Sequence, residues 1–177
     1  PRAVRRASMA GVGILLRSRP EVYLAKIDIA TAPVMSGSTY PAPFDEPCRG
    51  RTNTRLGAAA GLTQFGVNLT RLRPGAWSSQ RHWHEHEDEL VYVLEGEAVL
   101  VMDAGEQVMR PGDCAAFKAG VRNGHHFQNR SDAEVVLLTV GSRLEQDWGE
   151  YSDIDMVFRR SSGYEHKDGT PYAPKRG

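Results

Sequence analysis

The chain has 177 residues, enough for one well-buried core and one domain. Lys plus Arg and Asp plus Glu balance at 22 each and are interspersed, which argues against nucleic acid as the main partner, since phosphate binding needs a basic excess on one face. No apolar run approaches the ~20 residues that span a bilayer, and 40% apolar content with 18 Gly and 10 Pro suits an all-β domain rich in turns.

Residues 1–19 carry Arg2, Arg5, Arg6, Arg17 and Arg19, with no acid, around a short apolar patch at 9–16. A targeting segment would share those features, but the patch is short and no small-residue cleavage pattern follows. The expectation is a flexible basic extension, or a true start at Met9. A single domain is expected over residues 20–160, and a polar, Gly- and Pro-punctuated tail over 161–177. Cys48 and Cys114 are too few for a disulfide framework, so reduced thiols in a cytoplasmic protein are expected. Any metal here must rest on imidazole and carboxylate.

Residues 20–47 alternate apolar and polar positions and then run into Tyr40-Pro41-Ala42-Pro43-Phe44, read as a loop packed outside the core. Gly57-Ala58-Ala59-Ala60-Gly61 is too short and too Gly-flanked for a substantial helix. From Leu62 onward strand signals recur every 8–12 residues or so, as in a sandwich or barrel. Residues 62–72 alternate with Phe65, Val67 and Leu69 on one face; further strands are expected at 89–94, 97–102, 107–109, 114–117, 125–129 and 135–140. Beyond Gly141 the chain turns acidic.

The most informative stretch is residues 75–96. His82 and His84 stand two apart, so on a strand they share a face about 7 Å apart. Glu89 is an odd number of positions further on, and the polar residues 85–88 read as a loop that resets its parity before a β-branched strand. Two imidazoles and a carboxylate then converge, a ligand set typical of a catalytic metal. His86, Glu87 and Asp88 read as solvated loop residues.

Residues 112–129 hold Gly112-Asp113, Gly120 and His125-x-x-x-Asn129. Together the two stretches resemble the two motifs of the cupin family. His82-x-His84, Glu89 and Gly96 fit the first in register. The second departs from the usual pattern in Lys118, where proline is common, and in two extra residues before the histidine. The resemblance covers about residues 60–142. It implies a double-stranded β-helix, the jelly-roll barrel, in which His82, His84, Glu89 and a later histidine bind one divalent metal: Mn, Fe, Ni, Co or Zn. His125 shares its parity with Asn129 and matches the family pattern; His126 is the ligand instead if a bulge sits in this strand.

Arg71, Arg81, Lys118 and Arg122 flank the motifs and would hold an anionic substrate if they faced the lumen. Exposed salt bridging is the simpler reading for each. Asn129 reads as a strand-end hydrogen bonder, Cys114 as a small buried residue, and Tyr92, Phe117, Phe127, Trp77 and Trp83 as core or dimer-interface aromatics. Four-ligand relatives imply a metal-dependent enzyme of isomerase, lyase or oxygenase type acting on a small polar or anionic metabolite; the alternative is a non-catalytic barrel that senses a small molecule. A small-molecule partner, no nucleic acid, no membrane and a homodimer are expected.

Overall fold

The computed structural model describes residues 26–173, so the basic stretch 1–19 lies outside the described residues. The strands are β1 (Val34–Ser36), β2 (Arg51–Arg55), β3 (Phe65–Leu72), β4 (Glu89–Glu95), β5 (Ala98–Met102), β6 (Gly105–Met109), β7 (Cys114–Phe117), β8 (His126–Gln128), β9 (Val135–Ser142), β10 (Trp148–Glu150), β11 (Val157–Arg159) and β12 (Gly163–Glu165). One helical turn, α1 (Leu56–Ala59), follows β2. Among the described residues, no helix is long and apolar enough to cross a membrane.

An antiparallel six-stranded sheet in the order β1-β2-β3-β9-β4-β7 faces a three-stranded sheet, β6-β5-β8. This is the expected all-β jelly-roll architecture of a double-stranded β-helix. Leu72, Val91, Val93, Leu100, Phe127 and Leu137, from β3, β4, β5, β8 and β9, form one buried cluster between the sheets. Fully burying each such side chain contributes about 1.5–3 kcal/mol, so this apolar layer holds the two sheets together.

The inward face of the large sheet changes character along its strands. Arg51 pairs Leu72, and Asn53 pairs Thr70, so β2 turns polar side chains towards the same interior as β3. Thr70 and Thr139 approach at 3.4 Å between hydroxyls. On β4, Glu89 shares the face of the buried Val91 and Val93, while Leu90, Tyr92 and Leu94 are exposed. The interior therefore grades from apolar core to a polar lumen at one end. The alternating residues Phe65, Val67 and Leu69 face outward, since the buried positions of β3 are Gly66, Thr70 and Leu72.

A third sheet, β10-β11-β12, closes over that end. Tyr40, Cys48, Tyr151 and Met156 form a second buried cluster there, with Trp77, Phe158, Tyr164 and Tyr172 packed on it. The polar stretch after Ser161 thus supplies a paired strand and two packed tyrosines. The motif glycine Gly96 has φ 78°, and a Cβ there would stand 2.6 Å from the Glu134 carbonyl oxygen. Only glycine fits that turn.

Candidate metal centre

His82 and His84 sit on an extended segment, not in a regular strand, held by bridges from His82 to His125 and to Tyr151. The two rings nevertheless lie on one side of this segment, their centroids 5.0 Å apart. Residues 85–88 then form the connecting bend, and β4 begins at Glu89. Ligand atoms of His82, His84 and Glu89 all lie within 4.8 Å of one another. His125 stands beside this group on the facing segment, its ring 5.1 Å from His82 and its Nε2 3.5 Å from Glu89 Oε2.

The hydrogen bonds around these rings decide which nitrogen is free. Nδ1 of His82 lies 2.9 Å from the Gln80 carbonyl oxygen, which can only accept, so Nδ1 carries the proton and Nε2 keeps its lone pair. His84 Nδ1 donates to Asp147 Oδ2 at 2.7 Å, with the same result. Asp147 is itself fixed by the His86 backbone N–H at 3.0 Å. The His125 ring is stacked on Phe117 with centroids 3.4 Å apart, and its Nδ1 is buried with no hydrogen-bond partner among the described residues. The two imidazoles and the carboxylate of His82, His84 and Glu89, with both tautomers fixed from behind and the His125 ring beside them, are a donor set that fits a divalent ion.

The electrostatics agree with that fit. Burial pulls His82 down, and the imidazoles of His84 and His125 act in the same direction, to about 3. For His84 burial also acts downward, but the Asp147 bond and the Glu89 charge outweigh it, so its pKa ends raised. Burial pushes the Glu89 carboxyl up, yet the His125 bond and the nearby imidazoles win and hold it below the usual carboxylate range. A carboxylate kept ionised among imidazoles is prepared for a cation.

His126 is outside this group. Its Nδ1 donates to the Ser79 carbonyl oxygen at 3.0 Å and its Nε2 accepts from Gln128 Nε2 at 2.9 Å, so both nitrogens are used. The ring stands edge-on to Trp77 at 4.6 Å. β8 pairs with β5 without a register shift through His126, Phe127 and Gln128, so no bulge interrupts that strand. Asn129 bonds the Leu72 and Ala133 carbonyl oxygens at 2.8 and 2.7 Å, closing a strand end.

Several flanking residues differ from the sequence reading. Glu87 is buried, not solvated: it accepts from the Leu144 backbone N–H at 2.7 Å and from Arg160. Cys114 is exposed, because its register opposite Tyr92 on β7 turns it outward; Cys48 is the buried thiol, and both are free. The three flanking arginines are committed to carboxylates: Arg71 pairs with Glu134, Arg81 with Asp153 and Asp103, and Arg122 with Glu85. Lys118 is exposed and lines a separate cavity of about 480 Å³ with Glu89 and Phe117.

A cavity of about 200 Å³ adjoins the cluster, lined by His82, Glu89, Arg51, Asn53, Thr70 and Thr139 among others. It shares Tyr40, Arg51, Asn53 and His82 with a mouth of about 410 Å³, where His84, Tyr151 and Arg160 also stand. Sequence reasoning missed Asp147, Arg51 and Asn53. Their placement depends on pairings across the fold, and the only sequence cue was the acidic run beyond Gly141.

Comparison with known proteins defines the class. The model of the Cupin domain matches residues 68–141. The chain is 49% identical to a sugar phosphate isomerase of the cupin superfamily from Silicibacter pomeroyi, covering 84% of this chain and 96% of that one, with a TM-score of 0.78. The chain belongs to the cupin superfamily. It is also 29% identical to a protein from Acidithiobacillus ferrooxidans whose assignment as a sugar phosphate isomerase is provisional, over 81% of this chain and 91% of that one, TM-score 0.67. The polyketide cyclase RemF of Streptomyces resistomycificus, 22% identical over 67% of this chain and 79% of its own, shares the fold with a TM-score of 0.53. No curated protein matches the sequence.

Proposed function

We propose that the protein is a metal-dependent isomerase of a phosphorylated sugar, with one divalent ion held by His82, His84, Glu89 and His125. The observation that carries this reading is the convergence of His82, His84 and Glu89, with His125 against Glu89, beside a polar cavity sized for a small metabolite. The likeness to the Silicibacter pomeroyi isomerase over nearly its whole length narrows the reaction class. Mn, Fe, Ni, Co and Zn all suit such nitrogen and oxygen donors. When bound, the ion supplies a Lewis acid that polarises a carbonyl oxygen.

The chain's own groups do the rest. Asp147 keeps the His84 proton on Nδ1 and its ring in place. Asn53, Thr70 and Thr139 offer an amide and hydroxyls to a polyol in the cavity. Tyr40 and Tyr151, both buried, have phenols raised in pKa by burial and so remain protonated walls against water. Isomerisation moves a hydrogen between adjacent carbons with no net oxidation, so no co-substrate is required.

The test is metal analysis of purified protein followed by NMR of a sugar phosphate panel. The His84→Ala variant should lose both metal and turnover. Turnover undiminished after the metal is stripped would rule the reading out.

The same proposal places the protein in the cytoplasm, where its two free thiols are stable, and makes it a homodimer. Val67, Val140, Leu90 and Ala116 are cross-strand neighbours on the outside of the large sheet, followed by Leu69, Leu138 and Tyr92 in the next row. Such an apolar exterior suits a second copy. Leu90→Arg should convert a dimeric mass in light scattering to a monomeric one; a monomeric wild type contradicts this part.

A further inference from the structure

We infer that Arg51, with Asn53 beside it, is the subsite that receives the anionic group of the ligand, a phosphate monoester carried on a polyol. The inference deepens the isomerase reading and rests on it for the choice of ligand.

Arg51 opens β2, and among the described residues its guanidinium is held by backbone carbonyls alone. Nε and Nη2 donate to the Gly37 oxygen at 3.0 and 2.8 Å, and Nη1 donates to the Ser78 oxygen. Among the described residues no carboxylate pairs with it. The other guanidiniums at the site are spent: Arg160 on Glu87 and the Leu144 carbonyl, Arg81 on Asp153 and Asp103, Arg122 on Glu85. Neutral carbonyls orient a guanidinium without cancelling its charge. An arginine has five N–H donors in a rigid fork. Three are committed here, so two remain. Arg51 lines both the inner cavity and its mouth, which puts its uncancelled charge beside the cluster of imidazoles.

Asn53 is the next residue but one on β2 and shares the inward face of Arg51. It lines the same two spaces, and its Oδ1 is buried with no hydrogen-bond partner among the described residues. An unpartnered buried carbonyl oxygen costs about 1–3 kcal/mol and calls for a donor. A bare anion has none to give. A ligand that satisfies both residues must therefore carry an acceptor-rich anion for the fork and a hydroxyl for Asn53. Phosphorylated sugars and sugar acids do, but unphosphorylated neutral sugars do not.

Charge separates the remaining choice. Among the described residues Glu89 is the one carboxylate that lines the cavity and its mouth, Asp147 lying behind His84. A divalent ion opposite Glu89 leaves one positive charge facing the ligand, and Arg51 adds a second. A phosphate monoester carries close to two negative charges at neutral pH, and a carboxylate carries one. The dianion is the better match.

The experiment is isothermal titration of the metal-loaded protein with inorganic phosphate, a hexose 6-phosphate and the free hexose, with metal content measured on each sample. Wild type should bind the hexose phosphate at least about tenfold more tightly than the hexose, and Arg51→Met should lose about that factor while retaining its metal. Asn53→Asp serves as a second variant if the first fails to fold. It leaves the Arg51 contacts in place and sets a carboxylate beside the fork, so phosphate and hexose phosphate should weaken by about tenfold or more and the hexose should not. Phosphate affinity equal to wild type in either folded variant overturns the subsite. No preference of the wild type for the phosphorylated sugar overturns it too. Arg51-dependent phosphate binding without isomerisation of any sugar phosphate would uphold the subsite and sink the isomerase reading. Isomerisation with a wild-type KM in both variants would do the reverse.

Discussion

His125 and His126 are neighbours in the chain and belong to different regions of the molecule. Both are almost wholly buried, at 2% and 3% exposure. His125 turns towards Glu89 and His82 at the polar end of the lumen, with one nitrogen unpartnered. His126 turns the other way, against Trp77, with both nitrogens bonded to Ser79 and Gln128. Burial is therefore no guide to which imidazole is chemically available. What separates them is the strand's two-residue period and the partners each face provides: carbonyl and amide on one side, other ligand-type groups on the other.

The contrast can be broken from the side of the supporting groups. Asp147→Ala removes the acceptor behind His84 and frees its ring to turn and change tautomer. Metal affinity should fall by about 10- to 100-fold in a competition titration, since groups behind a ligand histidine typically matter by that factor. An unchanged affinity would mean that the Asp147 bond does not orient a ligand.

Removing the imidazole of the other region should act on stability instead. His126→Leu leaves the Ser79 carbonyl and the Gln128 amide unpaired, at a cost of about 1–3 kcal/mol in denaturant unfolding. Its metal content should equal that of wild type. If the metal is lost with it, the separation drawn between the two histidines is wrong.

The smallest expected effect is on pH dependence in the metal-free protein. His82 has its folded value depressed to about 3, below the ordinary value near 6.5. Between those values the unfolded chain binds a proton that the folded chain does not, so stability falls as pH drops. Glu89, depressed as well, works in the same direction at lower pH; its contribution is lost as pH falls through its folded value. His84, raised, opposes them: its contribution is present in acid and lost as pH rises through its folded value. His82 carries the larger shift, so the melting temperature of metal-free protein should be lower at pH 5 than at pH 7.5. The reverse order would show that the His84–Asp147 pair dominates.

Much of the centre was legible because its spacing is local. His82-x-His84, the odd offset of Glu89 and the His125–Asn129 parity are all short-range patterns, and the cupin resemblance supplied their common target. The strands at 89–95, 98–102, 114–117 and 135–142 were legible for the same reason, having β-branched or alternating residues between turns. β2 was not, because Arg51-Thr52-Asn53-Thr54-Arg55 has no apolar face; it lines a polar lumen on one side. Asp147 was hidden by its distance of 63 positions along the chain from His84. Glu87 looked solvated because an acidic run says nothing about the backbone N–H and arginine that the fold later brings to it. The three-residue strands β10, β11 and β12 are too short to carry a period.

The account rests on four named groups sharing one divalent ion, and the adjacent histidines give its most direct test. Wild type, His125→Ala and His126→Gln are loaded with the same metal, desalted and measured by elemental analysis. One equivalent is expected in wild type and in His126→Gln, and much less in His125→Ala. Full retention in His125→Ala, or loss confined to His126→Gln, would contradict it.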